Sequence, residues 1–280
     1  MLRDGNIAVL AQASPALHIF DPSGKLVHAW GEGLGGAHGL TLVEEDGIEY
    51  LWITDQISGE VSRRDLKGKV HQRIAPPPAT DGIYAPTCVA ISPLEHDVLV
   101  ADGYGSNTIR RYSKNGDLIG TLTGEEGPGT FARPHGIAFH PNGTLWITDR
   151  RNKRILVYSS DGKYLFHRDD IAHSPCAFAF HQGRIYVPEL FGSLKVLDDA
   201  LNVSACYGTN YEVHPEEGWP AQQGWGWPEL NGWPDDLTPS ITSSNKFVAP
   251  HAVAVAPDGT IYVVEWVRGG RIVRLRVLSQ

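Results

Sequence analysis

Residues 134–166, PHGIAFHPNGTLWITDRRNKRILVYSSDGKYLF, match residues 250–277, PHAVAVAPDGTIYVVEWVRGGRIVRLRV, in pattern almost position for position. In the first copy, Gly136 to His140 and Leu145 to Asp149 alternate in the manner of strands, and Asn142-Gly143 and Asp161-Gly162 supply tight turns. Each copy therefore reads as a small antiparallel sheet. Looser copies are AHGLTLVEEDGIEYLWITD (37–55), PTCVAISPLEHDVLVADGYGSNTIRRYS (86–113) and PCAFAFHQGRIYVPELFGSLKVLD (175–198), with a partial one, NIAVLAQASPALHIFDPSGKLVHAW, at 6–30. Six units at a period of roughly 40 to 50 residues fit a β-propeller, in which no blade buries both faces until its neighbours stack on it. The expected fold is all-β, one six-bladed propeller domain over residues 1–280. Its first blade lacks a leading strand before Asn6 and its last lacks an outer strand after Leu278, so both are expected to be incomplete.

The composition agrees with a packed domain: 41% of the 280 residues are hydrophobic and 20% charged. A net charge of -8, with no concentrated basic face, argues against a nucleic-acid partner and leaves a small molecule as the expected one. No apolar run approaches membrane-spanning length, and MLRDGNIAVLAQ lacks the pattern of a leader, so no membrane partner and a cytoplasmic location are expected. Cys88, Cys176 and Cys206 are too few and too scattered for a disulfide framework and read as reduced thiols.

Residues from about 207 to 249 fall outside the repeat and carry four of the eight tryptophans among glycines and prolines. A loop of that length in a compact domain is usually functional, and Trp-Pro pairs are rigid and costly to leave in water. It reads as a lid that brings Trp225 and Trp227 to a substrate; a packing flap is the alternative.

Aligning the first strand of each unit places His38, Thr87, His135, Cys176 and His251 at one position, so histidine recurs on every second blade. Residues there line the axis of a propeller, where three imidazoles can meet and leave a fourth position open. That points to catalytic zinc, with iron or another divalent metal also able to accept three imidazoles. The competing account is a water-filled channel that the histidines merely line. Strand direction puts the second-strand endings at the same face: Asp55, Asp102 before Gly103-Tyr104, Asp149-Arg150, Glu189 and Glu265-Trp266. Tyr104 and Arg150 are candidates for the chemistry, and Asp55, Glu265 and Trp266 for contact with substrate.

These motifs, AHGL at His38, DGYGSNTIRRYSKNG around Tyr104, FARPHGIAFHPNGTLWITDRRNKRILVY around His135 and Arg150, and FVAPHAVAV at His251, resemble the NHL-repeat propellers, specifically the peptidyl-α-hydroxyglycine α-amidating lyases and their bacterial relatives. The resemblance covers nearly the whole chain. It implies that His38, His135 and His251 bind zinc, that Tyr104 carries a proton as base, and that Arg150 orients substrate or stabilises charge. It also implies a lyase acting on a small hydroxylated or amide-like substrate. Two positions depart from the pattern. A second active-site arginine expected in the first blade is replaced by Gln12 or a neighbour, pointing to a smaller or less anionic substrate. Ala252 stands where animal members have an acid serving a structural calcium, which argues against Ca2+ here. A zinc hydrolase or a lactonase on the same site, and a binding module without catalysis, remain the alternative functions.

Overall fold

The computed structural model describes residues 1–78, 82–169, 171–210, 246–267 and 270–276. Among these, strands form six antiparallel sheets, each a meander in chain order. Sheet 1 holds β1 (Ile7–Leu10), β2 (Leu17–Phe20) and β3 (Leu26–Trp30). Sheet 2 holds β4 (Ala37–Glu45), β5 (Ile48–Asp55), β6 (Glu60–Asp65) and β7 (Val70–Ile74), and sheet 3 holds β8 (Cys88–Ile91), β9 (Val98–Asp102), β10 (Thr108–Tyr112) and β11 (Leu118–Leu122). Sheet 4 follows as β12 (Pro134–Phe139), β13 (Leu145–Asp149), β14 (Arg154–Tyr158) and β15 (Tyr164–Asp169). Sheet 5 comprises β16 (Ala179–His181), β17 (Arg184–Glu189), β18 (Ser193–Leu197) and β19 (Val203–Tyr207), and sheet 6 comprises β20 (Pro250–Val255), β21 (Ile261–Glu265) and β22 (Arg271–Leu275). This is the strand arrangement of a six-bladed β-propeller. One 3₁₀ turn, Arg150–Asn152, follows β13, and among the described residues no helix is long and apolar enough to cross a membrane.

The chain forms two compact units, Met1–His167 and Arg168–Gln280. In the first, sheet 1 has three strands among the described residues. The Asp21–Gly24 turn between β2 and β3 closes like the Asp65–Gly68, Ser113–Gly116 and Ser159–Gly162 turns, each by a glycine N–H donating to the first residue's carbonyl at 2.8 to 3.0 Å. Sheet 6, in the second unit, has a leading, a second and a third strand among the described residues.

Second strands read as unbroken apolar runs because both faces are covered. In β5, Leu51 and Ile53 join Leu17, Ile19 and Trp30 in the layer toward sheet 1, while Trp52 joins Val89, Val98 and Val100 in the layer toward sheet 3. In β9 the sorting continues, with Leu99 and Ala101 packing on Ile137, Ile147 and Leu156. Sheets 5 and 6 show the same device, with Tyr186, Leu194 and Val196 against Phe247, Ile261 and Val263. Each such aliphatic side chain contributes about 1.5–3 kcal/mol by leaving water.

Five of the second-strand endings, Asp55, Asp102, Asp149, Glu189 and Glu265, are at most 6% exposed. Their carboxylates accept backbone N–H groups from the segment that enters the leading strand: Gly36 to Asp55 at 2.9 Å, Ala85 to Asp102 at 2.8 Å, Ala132 to Asp149 at 2.7 Å, His173 to Glu189 at 2.5 Å, and Val248 and Ala249 to Glu265 at 2.5 and 3.1 Å. Four also pair with a cation on the third strand, Arg110, Arg154, Lys195 or Arg271. Burial pushes the Asp149 carboxyl above its usual range, and the bonds from Asn152, Ala132 and Arg154 oppose that. Removing one member of such a pair leaves a buried charge uncompensated. Asp102→Ala is therefore expected to destabilise the protein by about 3 kcal/mol in urea unfolding, and a loss under about 1 kcal/mol would show that the tether carries little of the fold.

Candidate functional site

His38, His135 and His251 each occupy the same irregularity of their own sheet. Pairing steps from Ala37↔Asp55 to Gly39↔Thr54, from Pro134↔Asp149 to Gly136↔Thr148, and from Pro250↔Glu265 to Ala252↔Val264. Each histidine is thus the extra residue of a β-bulge, a device that re-aims one side chain out of the ladder. In sheets 2 and 4 the next amide is fixed by a threonine: Gly39 N–H donates to Thr54 Oγ1 at 2.8 Å and Gly136 N–H to Thr148 Oγ1 at 2.7 Å. A side chain at position 39 would run into the Thr87 carbonyl and the Thr54 hydroxyl, so the residue after His38 has to be glycine. Sheet 6 has Ala252 and Val264 in these places.

A second set of equivalent positions follows the tethering acids. The N–H groups of Gln56, Tyr104, Arg150, Leu190 and Trp266 donate to the carbonyls of Gly36, Ala85, Arg133, Ser174 and Ala249, at 2.8 to 3.3 Å. Each acceptor lies two residues before the His-type position of its sheet, so each donor is anchored beside that position. Tyr104 reaches this place through one extra residue, Gly103. A Cβ there would strike the Pro134 carbonyl, and one at Gly105 would strike Asp102 and the Ile83 carbonyl. The two glycines let the loop lie flat against its surroundings with Tyr104 between them.

Within the first unit these two sets converge. His38 Nδ1 donates to the Thr87 carbonyl at 2.8 Å, which fixes the tautomer and turns Nε2 inward as the acceptor. Nε2 of His38 lies 3.2 Å from Nε2 of His135, and the Tyr104 hydroxyl oxygen lies 3.2 and 3.1 Å from these two nitrogens. Arg150 Nη2 donates to the same oxygen at 2.9 Å. The rings meet edge to face, with centroids 4.8 to 5.6 Å apart. Burial, with a smaller contribution from the Arg150 charge, pushes His38 down from its usual 6.5 to about 4, so its imidazole stays neutral at physiological pH.

Two imidazoles that face each other through Nε2 suit a shared cation. Metal–nitrogen bonds of about 2.0–2.1 Å in a tetrahedral arrangement separate two ligand atoms by roughly 3.3 Å. Nε2 of His38 and Nε2 of His135, both in the first unit, stand 3.2 Å apart and so are close enough to share a metal ion, and their donor chemistry fits zinc as well as other divalent transition metals. His251 occupies the equivalent bulge of its own sheet in the second unit.

The remaining sequence candidates fall into three groups. Asp55 and Glu265 have their carboxylates engaged: Asp55 by Gly36, Ile57 and Ser58, and Glu265 by Val248, Ala249 and Arg271. They hold the segments that present His38 and His251. Trp266 stands with its ring 6.3 Å from that of His251, and Gln12 lies two residues beyond the end of β1. Trp225 and Trp227 lie outside the described residues. Sequence reasoning passed over Arg133, whose guanidinium sits 5.4 Å from the Tyr104 ring, as does that of Arg150. A signal was present: the other sheets have Gly36, Ala85, Ser174 and Ala249 at its position, all small.

Residues 131–158 match the NHL repeat family. The chain is 29% identical over 275 residues to peptidyl-alpha-hydroxyglycine alpha-amidating lyase 1 of Drosophila melanogaster, covering 90% of this chain and 47% of that protein. It is 28% identical over 273 residues to peptidyl-glycine alpha-amidating monooxygenase A of Xenopus laevis, again over 90% of this chain but 26% of the relative. It thus spans from about a quarter to about half the length of these curated relatives. Among solved structures, a streptogramin B lyase superposes with a TM-score of 0.63 at 15% identity, covering 99% of this chain and 91% of that one. Virginiamycin B lyase from Staphylococcus aureus gives 0.55 at 17% identity, over 89% and 72%. The structural likenesses bear on the fold alone, and with the sequence matches they show a six-bladed β-propeller that carries an NHL repeat and is similar in sequence to the peptidyl-α-hydroxyglycine α-amidating lyases.

Proposed function

We propose that the protein is a metal-dependent lyase that cleaves the C–N bond of an N-acylated amine carrying a hydroxyl on the carbon next to nitrogen, with N-acyl-α-hydroxyglycines as the substrate class. The observation that carries this reading is the Tyr104 hydroxyl, held by Arg150 within 3.2 Å of Nε2 of both His38 and His135. A proton carrier next to imidazoles that can hold a metal is what such a cleavage requires. The names of the lyase relatives support the substrate class. In the reaction the hydroxyl loses its proton, its oxygen forms a carbonyl, the C–N bond breaks, and the electron pair leaves with nitrogen, which takes up a proton. An amide and glyoxylate result, with no oxidant and no water consumed.

His38, His135 and His251 would hold the metal. Once bound, it supplies Lewis acidity that makes the substrate hydroxyl easier to deprotonate. Tyr104 accepts that proton and passes it to the departing nitrogen. Arg150 holds the Tyr104 oxygen in place through its hydrogen bond, and the Thr87 carbonyl keeps the His38 ring aimed inward. Gln12 and Trp266 would contact substrate, while Asp55 and Glu265 act as positioning residues through the segments they tether.

Untagged protein supplied with Zn2+ should convert N-benzoyl-α-hydroxyglycine into benzamide and glyoxylate, both read by chromatography. No product above the uncatalysed background, with metal bound, would overturn the reading. His135→Ala is expected to lower tightly bound metal from about one per chain to near zero in elemental analysis, and an unchanged content would remove the histidines from metal binding. Tyr104→Phe is expected to keep its metal while kcat falls by about 10²-fold or more, and full activity would exclude Tyr104 as the proton carrier.

A further inference from the structure

We infer that Arg133 and Arg150 form a two-guanidinium anion site at Tyr104, and that the group it takes is a carboxylate carried by the substrate. Both guanidinium carbons lie 5.4 Å from the centroid of one tyrosine ring. Arg150 is oriented by its 2.9 Å bond to the Tyr104 oxygen. Arg133 pairs with no carboxylate among the described residues, although it is half-buried. Two cations held against one tyrosine ring repel each other, the more so where water is partly excluded. Such a pair is relieved when an anion enters between the two groups, and a planar carboxylate matches guanidinium donors in geometry as well as in charge.

The backbone holds Arg133 in place against its own preference. Its φ is +66°, in the left-handed region, and it precedes Pro134, which disfavours helical conformations of the residue before it. The conformation is pinned from both sides. Arg133 N–H donates to Asn107 Oδ1 at 2.9 Å, and its carbonyl accepts from Arg150 N–H at 3.1 Å. The Asn107 contact links it to the loop that carries Tyr104, so one short stretch sets the tyrosine and both arginines. The Tyr104 oxygen is in turn 3.1 Å from His135 Nε2. A carboxylate at the arginines therefore lies within one small molecule's length of the imidazoles.

The choice of carboxylate rests on the lyase reading for the reaction, but the anion preference itself can be measured without turnover. Hippurate and its neutral counterpart hippuramide, titrated into the metal-loaded protein by calorimetry, are expected to differ by about tenfold or more in favour of hippurate. Arg133→Met should reduce that preference to within about twofold while leaving hippuramide binding unchanged, and Arg133→Lys should retain part of it. Near-ultraviolet circular dichroism of both variants shows whether the fold is kept. No heat from hippurate at millimolar concentration, equal binding of the two compounds by the native protein, or a preference that survives in a folded Arg133→Met variant would each overturn the inference. A carboxylate preference that depends on Arg133, in a protein unable to cleave N-benzoyl-α-hydroxyglycine, would instead overturn the lyase reading and leave the anion site standing.

Discussion

The hydrogen bond from a strand-end carboxylate to the backbone of the entering segment is the interaction on which this architecture turns. A meander of short strands has no helix to brace its ends, and the chain has to leave one sheet and start the next with its polar backbone satisfied. A buried acid solves both problems. It caps the second strand, takes the amides of the approaching segment, and in four sheets neutralises a third-strand cation. The position of the leading-strand bulge in sheets 2, 4 and 6 follows from this tether, because the bulged residue comes two or three places after the captured amide. The site is therefore built outward from a structural bond.

The same tether explains why chemistry gathers at Tyr104. Once the acid has fixed the entering segment, the carbonyl two residues before the bulge is free to accept the amide that follows the acid. That second bond sets the Cα of Gln56, Tyr104, Arg150, Leu190 and Trp266 beside the start of their own leading strands. In sheets 3 and 4 the anchored residues carry a hydroxyl and a guanidinium, and the bulges of sheets 2 and 4 carry imidazoles. Fixed main chain and variable side chain make a rigid frame, and the proton transfer proposed for Tyr104 would need group positions held to fractions of an ångström.

The fold was readable from sequence because its signals are local and repeated. The alternation in PHGIAF and LWITD, the Asn142-Gly143 turn and the recurrence of histidine before a β-run each survive in isolation. What escaped was the result of side chains meeting across sheets. Asp55 and Glu265 look like rim acids in one dimension, and only their captured amides reveal that their oxygens are engaged. Gln12, where an arginine was expected, suggested a weakly charged pocket. Arg133 brings a guanidinium to Tyr104 from another sheet, and it does so through a backbone conformation that no propensity assigns to arginine before proline. Trp225 and Trp227 lie outside the described residues.

The anchored positions after the acids also bear on how such a protein can change. Their main chain is held by carboxylate and carbonyl partners that do not depend on the side chain they carry, as the spread from Leu190 to Arg150 and Trp266 illustrates. Substitutions there alter the side chain presented beside each leading strand while leaving the stacked layers beneath untouched. Gln56, Leu190 and Trp266 thus offer separable handles for a library aimed at new specificity, and the same decoupling gives natural selection a route to new substrates on an old scaffold.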